Sequence, residues 1–270
     1  MPLDLTGTAV IVTGAAGGLG SLMSLGLAAL GATVAAFDLP GADDRMAELL
    51  AASRRQGNEA RIHAFPCDVT NPGQCESAVE AAVAQLGAVH GLVNCAGLGP
   101  QDLTSRDPGK RLKFFEVSPE MWRSRMETNM NGAFFMARAV VPRLIAQRGG
   151  KIVNVTTSYH TMVASLGSPY GPSKAALEAA TLAWSRDLEG TGVTVNVLIP
   201  GGAADTRMVP ARLAPDRAAL VQPKVMAAPI QWLMSRQSDG VTGRRFIGKD
   251  WDLALDPSAA AAKAGAPAAW

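Results

Sequence analysis

Thr8-Ala9-Val10-Ile11-Val12-Thr13-Gly14-Ala15-Ala16-Gly17-Gly18-Leu19-Gly20 runs from a β-branched apolar segment straight into a cluster of four glycines. Residues 8–13 read as a strand covered on both faces, because their core is a continuous apolar run rather than an alternation. The glycines allow a tight turn and let a ligand approach the backbone with no Cβ in the way. An apolar helix follows to about Leu30 and is stopped by Gly31. Its first N–H groups point back at the turn, an arrangement suited to a pyrophosphate. Any tight strand-to-helix turn favours glycine. The placement between a clean strand and an apolar helix is what points to a dinucleotide.

Outward from this turn the pattern alternates. Strands are expected at 32–38, 61–67, 91–94, 151–156, 194–199 and 244–247. Helices are expected at 43–56, 71–86, 118–147 and 169–189. Asn71 before Pro72, and Ser118 before Pro119, are helix caps followed by proline at the first helical position. Strands alternating with helices of this length make βαβ units: an α/β fold with a mainly parallel, doubly wound sheet. No internal repeat or linker divides the chain. Residues 1–256 read as one dinucleotide-binding and catalytic domain. Residues 257–270, mostly alanine, read as a loosely ordered tail.

Composition narrows the function classes. The 270 residues are 48% hydrophobic and 18% charged, with 25 Lys plus Arg against 23 Asp plus Glu, a net charge of +2. That balance gives no electrostatic case for nucleic acid, and 5% aromatics is too few for base stacking. No apolar run approaches the roughly 20 residues that span a bilayer, and the first residues carry no secretion signal. Cys67, Cys75 and Cys95 are odd in number and lack a CxxC pair, which fits a reduced cytoplasmic setting. His63, His90 and His160 have no metal-ligand spacing, so no metal is expected.

Asp38 ends the second strand. A carboxylate there can accept hydrogen bonds from both adenosine ribose hydroxyls and would repel a 2′-phosphate. The plain alternative is that Asp38 caps the loop after it. With the glycine turn in place the ribose reading is preferred, and with it NAD over NADP. Leu39 and Pro40 come next, so no cation immediately follows the acid.

The spacing Thr-Gly-x-x-x-Gly-x-Gly resembles the turn of the short-chain dehydrogenase/reductase superfamily. The resemblance continues from about Leu5 to Trp251: Asp68-Val69 after the third strand, Asn94-Cys95-Ala96-Gly97 after the fourth, Tyr170-x-x-x-Lys174 on a helix, and Pro200-Gly201 after the sixth strand, in that order. It implies a Rossmann-like fold of about seven strands, an NAD-dependent alcohol or ketone oxidoreductase, and a homotetramer or dimer. It implies cofactor contacts from Gly14, Gly17, Gly18, Leu19, Gly20, Asp38, Leu39, Asp68, Val69, Asn94, Ala96, Gly97, Tyr170, Lys174, Pro200, Gly201 and Thr206. Cys95 stands where the family commonly has a second Asn.

Tyr170 and Lys174, four apart, share a helix face. Carbonyl reduction needs a proton for the nascent alkoxide, and alcohol oxidation needs a base. A free phenol is a poor base at neutral pH; a nearby ammonium is expected to lower its pKa. The resemblance gives Lys174 a second role on the nicotinamide ribose. It also calls for a hydroxyl that polarises the substrate oxygen. The position thirteen before Tyr170 is Thr157, while a one-residue change in the loop would bring Ser158 into place. Asn129 matches the family's proton-relay asparagine, and Asn131 reads as an exposed helical amide. Met121, Met126, Met130 and Met136 read as packing. The segment 203–228 resembles a substrate lid, with Met208, Val209, Leu213 and Met226 marking an apolar pocket. The loop 98–116 carries Arg106, Lys110, Arg111 and Lys113 against Asp102, Asp107 and Glu116, and reads as a solvated insertion. His160 faces either substrate or solvent. The rival readings are an NADP-dependent 3-oxoacyl-type carbonyl or imine reductase, and a non-catalytic dinucleotide sensor. Two intact catalytic positions argue against the sensor.

Overall fold

A computed structural model describes residues 2–100 and 111–269, with the backbone alone for Leu213. The chain alternates β1 (Ala9–Thr13), α1 (Gly18–Ala29), β2 (Thr33–Asp38), α2 (Asp43–Arg55), β3 (Ile62–Pro66), α3 (Pro72–Leu86) and β4 (Gly91–Asn94). It continues with α4 (Pro119–Met126), α5 (Gly132–Ala146), β5 (Gly150–Val155), α6 (Tyr159–Met162), α7 (Tyr170–Asp187), β6 (Val193–Ile199), α8 (Ala227–Leu233), β7 (Arg244–Ile247), α9 (Pro257–Ala264) and β8 (Gly265–Pro267). Asn71 and Ser118 cap α3 and α4 as expected, accepting from the N–H of Gln74 at 3.1 Å and of Met121 at 3.1 Å.

The strands form one sheet in the order β3-β2-β1-β4-β5-β6-β7-β8. Seven run parallel and β8 pairs antiparallel with β7. The jump from β1 to β4 puts the point where strand order reverses beside the glycine turn, where such sheets bind ligands. The alternation of side chains splits the core in two. Val10, Val12, Val34, Val93 and Val153 pack with Met23, Leu27, Ile230 and Trp232 on one face. Ile11, Phe37, Leu92 and Ile152 pack with Val79, Met136 and Val140 on the other. Both faces are apolar because both are covered.

The expected sheet of about seven strands is present as seven parallel strands with the short β8 added. One expectation is corrected: the tail is not loose, since α9 buries Ala260, Ala261 and Ala264 in the first core cluster, and β8 pairs with β7. Alanine's small side chain lets the helix sit close on its neighbours, which composition alone does not reveal. The expected helix over 118–147 is also interrupted. A π-helical turn, Glu127–Asn131, separates α4 from α5. Among the described residues no helix is long and apolar enough to cross a membrane. Asp102, Arg106, Asp107 and Lys110 lie outside the described residues. Of the rest of that loop, Lys113 donates its N–H to the Glu116 carboxylate at 2.8 Å and lies 5.7 Å from the Phe115 ring centre.

Candidate active site

The glycine turn is shaped by close approach. Gly14 has φ +63°, and a Cβ there would stand 2.9 Å from Ala96 Cα. At Gly18 a Cβ would stand 2.5 Å from Thr206 Cγ2, so this side of the turn packs against the segment after β6. Thr13 ties the turn to the end of β4: its hydroxyl accepts from Cys95 N at 3.0 Å and Ala96 N at 3.1 Å. α1 opens on Gly17 with no side-chain cap and no acid in its first turn, which leaves its leading N–H groups suited to an anion.

Asp38 is buried at the end of β2. Its Oδ2 accepts from Ala16 N at 2.9 Å and its Oδ1 from Leu39 N at 2.9 Å. Each oxygen keeps lone-pair capacity for a ribose hydroxyl. The sequence reading missed Arg45 on the first turn of α2, whose Nη2 lies 3.5 Å from Asp38 Oδ1. The cation arrives from the next helix rather than from the position after the acid. Leu39 is half exposed. Asp68 folds its carboxylate onto Thr70, accepting from its N at 2.9 Å and Oγ1 at 2.8 Å. Val69 is buried and packs so closely on Gly132 that a Cβ there would be 2.7 Å away. The Asn94 side chain turns into the sheet, donating to Asn154 Oδ1 at 2.8 Å and Ala133 O at 3.3 Å. What residues 94–97 offer a ligand is therefore backbone.

Tyr170 opens α7, and Lys174 lies one turn on. The Lys174 ammonium is buried and donates to Val155 O, the end of β5, at 2.9 Å. A Cβ at Gly97 would lie 3.3 Å from Lys174 Nζ, so this glycine leaves the ammonium room. Desolvation brings Lys174 down to about 8. The same cause pushes the Cys95 thiol up to about 12, so the residue in place of the second asparagine is a neutral thiol.

The Thr157 hydroxyl acts on the Tyr170 phenol, favouring its ionised form. Ser158 is engaged elsewhere: its Oγ caps α6 and shares a 2.9 Å hydrogen bond with Thr161 Oγ1. One expectation about Tyr170 is corrected. Desolvation raises its pKa above the ordinary value, and the Thr157 hydroxyl only partly opposes this. The ammonium expected to lower it is itself desolvated, so the resting site holds a neutral phenol.

Asn129 is buried in the π-helical turn. Its Oδ1 accepts from Leu98 N at 2.7 Å, and its Nδ2 donates to Leu98 O at 3.0 Å and to Ser173 Oγ at 2.9 Å. Ser173 in turn donates to Tyr170 O at 2.7 Å. The Asn129 side chain thus clamps the loop after β4 to the start of α7, with both amide hydrogens used. Asn131 is half-buried and donates to Glu127 at 2.7 Å.

After β6, Pro200 is buried and Gly201 has φ +95°. The segment 203–221 is held by Arg217, which pairs with Asp205 and donates to Thr206 O at 3.1 Å and Val209 O at 2.6 Å. Arg207 reaches back to Ala16 O at 3.2 Å. Met208 is exposed, but Met226 sits fully buried in the main core, so it does not mark a pocket as expected. The Leu213 side chain lies outside the described residues, and His160 is exposed. Among the described residues no group of His, Cys, Asp and Glu could hold a metal ion.

The donor set fits a nicotinamide dinucleotide: a glycine cradle and helix N-terminus for two phosphates, a carboxylate for ribose hydroxyls, and a half-buried tyrosine beside a buried lysine beyond. Comparison with known proteins agrees. The family described as short chain dehydrogenase matches residues 8–216. The chain is 30% identical over 265 residues to a 3-oxoacyl-[acyl-carrier-protein] reductase of Thermotoga maritima, covering 94% of this chain and all of that one. It is 32% identical to the D-threitol dehydrogenase of Mycolicibacterium smegmatis over 73% of this chain and 70% of that one. A structure described as a putative short-chain alcohol dehydrogenase from Sinorhizobium meliloti superposes with TM-score 0.78 at 28% identity, covering 91% of this chain and 96% of that chain.

Proposed function

Since the chain belongs to the short-chain dehydrogenase family, we propose that it interconverts a secondary alcohol and a ketone with NAD(H). The observation that carries this reading is the buried Lys174 ammonium, held on Val155 O one turn along α7 from Tyr170, with the Thr157 hydroxyl acting on the phenol. The bound nicotinamide supplies the hydride acceptor or donor. Tyr170 transfers the proton to or from the substrate oxygen, and Thr157 donates a hydrogen bond to that oxygen. Lys174 spends one of its three donors on Val155 O and keeps two for a ribose and for the phenolate as it forms. A resting neutral phenol is already charged for carbonyl reduction, whereas oxidation must first ionise it. Oxidation is therefore expected to speed up as pH rises above neutrality.

Asp38 supports NAD. Arg45 offsets part of its repulsion toward a 2′-phosphate, so the expected preference is about tenfold, near 1.4 kcal/mol, less than an unaccompanied carboxylate would give. The same Arg45 favours the second reading, an NADP-dependent 3-oxoacyl-type reductase such as the Thermotoga maritima relative's name describes on the acyl side. The test is turnover of acetoacetyl thioester, cyclic ketones and polyols with each cofactor. Faster ketone or polyol turnover with NAD(H) supports the first reading. Thioester reduction with NADPH replaces it by the second. Cofactor binding with no turnover of any substrate leaves a sensor.

A further inference from the structure

Beyond Tyr170 and Lys174, the same face of α7 carries a third polar residue two turns on. Glu178 is 1% exposed. It is held by Arg245 of β7, which donates from Nε to Oε1 at 2.7 Å and from Nη2 to Oε2 at 2.9 Å. Two further contacts leave the pair, both toward the residues just past β5. Thr156 Oγ1 donates to Glu178 Oε2 at 2.8 Å, and Arg245 Nη2 donates to Thr157 O at 2.6 Å.

Arg245 reaches these residues across β6, which separates β7 from β5. Stability is a poor reason for such a pair. Desolvating two charges costs about as much as their attraction returns, and two well-packed apolar side chains would fill the space as well. Location supplies a better one. Val155↔Leu198 is the last pair of the β5–β6 ladder among the described residues. Past it the backbone has left the sheet, yet Thr157 must hold its hydroxyl against Tyr170. What fixes residues 155–157 is a set of side chains: Lys174 on Val155 O, Glu178 on the Thr156 hydroxyl, and Arg245 on Thr157 O.

We propose that Glu178 and Arg245 are a positioning pair that sets the placement of the Thr157 hydroxyl at the reacting oxygen. The proposal rests on the reading of Thr157 as the group that polarises that oxygen. Neither residue touches substrate; both act through the Thr156–Thr157 backbone.

The test is a mutant cycle on the full-length protein, using whichever carbonyl substrate of the panel above is reduced fastest. The double variant Glu178→Met/Arg245→Met keeps side-chain volume and leaves no unpaired buried charge. It should fold, bind NADH with an unchanged dissociation constant, and lose kcat on the order of 10²-fold, the cost of a misplaced catalytic group. Arg245→Lys, which can still donate to Thr157 O, should recover part of that loss. Thr157→Val should lose a similar amount, and in that background the double Met change should cost almost nothing more. Losses that instead multiply overturn the proposal, as does a double Met variant with normal kcat beside a crippled Thr157→Val. Normal turnover in Thr157→Val itself would remove the Thr157 reading, and the proposal with it. Should the double Met variant not fold, Glu178→Gln carries the same cycle. A substrate-independent readout comes from the phenol. The chain has only two tyrosines, Tyr159 exposed and Tyr170 half-buried. Losing the influence of the Thr157 hydroxyl should push the Tyr170 ionisation higher in ultraviolet difference titrations of both Thr157→Val and the Met pair. A shift in only the first overturns the proposal.

Discussion

The two ends of the site lie along one edge of one sheet and are built from different material. At the end proposed for adenosine, after β1 and β2, the material is mostly backbone: N–H groups at the start of α1 and a glycine cradle, joined by one carboxylate held by the amides of Ala16 and Leu39. At the proton-transfer end, after β4 and β5, they are side chains, and other buried side chains fix them: Asn129 through Ser173, Lys174 on Val155 O, Arg245 with Glu178 on Thr157 O. Phosphates and ribose need only shape and a few hydrogen bonds. A proton must travel between two particular atoms, so the carriers proposed here are held from several sides.

Substitutions separate the two ends. Tyr170→Phe removes the proton carrier and keeps the ring, so turnover should fall by 10²-fold or more (on the order of general acid–base catalysis) while NADH still binds. Near-normal turnover would break the contrast at its strongest point.

Lys174→Met should also lower turnover, and should weaken NADH binding in fluorescence titration. Its effect on stability runs the other way. The folded pKa of about 8 lies below the ordinary value, so the buried ammonium costs stability, fully below pH 8 and less as pH climbs toward the unfolded pKa of about 10.5. Cofactor-free Lys174→Met should melt no lower than wild type at pH 7, and the gap should narrow by pH 10. A variant that melts well below wild type at pH 7 would show the ammonium to be structural.

Asp38→Asn should leave turnover at saturating cofactor intact and erase the roughly tenfold NAD preference, since Arg45 is then free to meet a 2′-phosphate. Binding titrations with NADH and NADPH measure this. An unchanged ratio would remove Asp38 from cofactor selection. Ser158→Ala should do least: about 1 kcal/mol of stability from the lost cap of α6 and almost no change in kcat. A large loss of kcat would move the polarising role from Thr157 to Ser158.

The same contrast explains which parts were legible in the sequence. Gly14 and Gly18 are demanded by backbone approach, so residue type and spacing expose them. Asp38 stands at a strand end where the ladder leaves its carboxylate facing the turn. Tyr170 and Lys174 are one helical turn apart. Thr157 is proposed from counting, and the alternative, Ser158, caps a helix, which four residues of α6 do not announce. Arg45, Glu178 and Arg245 were not seen because each is an ordinary charged residue until the fold brings it to its partner. Glu178 and Arg245 lie 67 positions apart in the chain. The π-helical turn under Asn129 was equally hidden, since a single extra residue per turn leaves the apolar pattern of the long helix almost unchanged.

The outermost strands, β3 and β8, each include a proline, Pro66 opposite Asp38 and Pro267 opposite Arg244. Proline has no N–H to offer, and both strands are short, five residues and three. A neighbouring molecule that tried to extend the sheet would find a missing donor at either rim. The interior strands are the kind of unbroken apolar segment that joins readily to copies of itself. The two rims guard against that, keeping a sheet built from sticky strands from growing past its own chain.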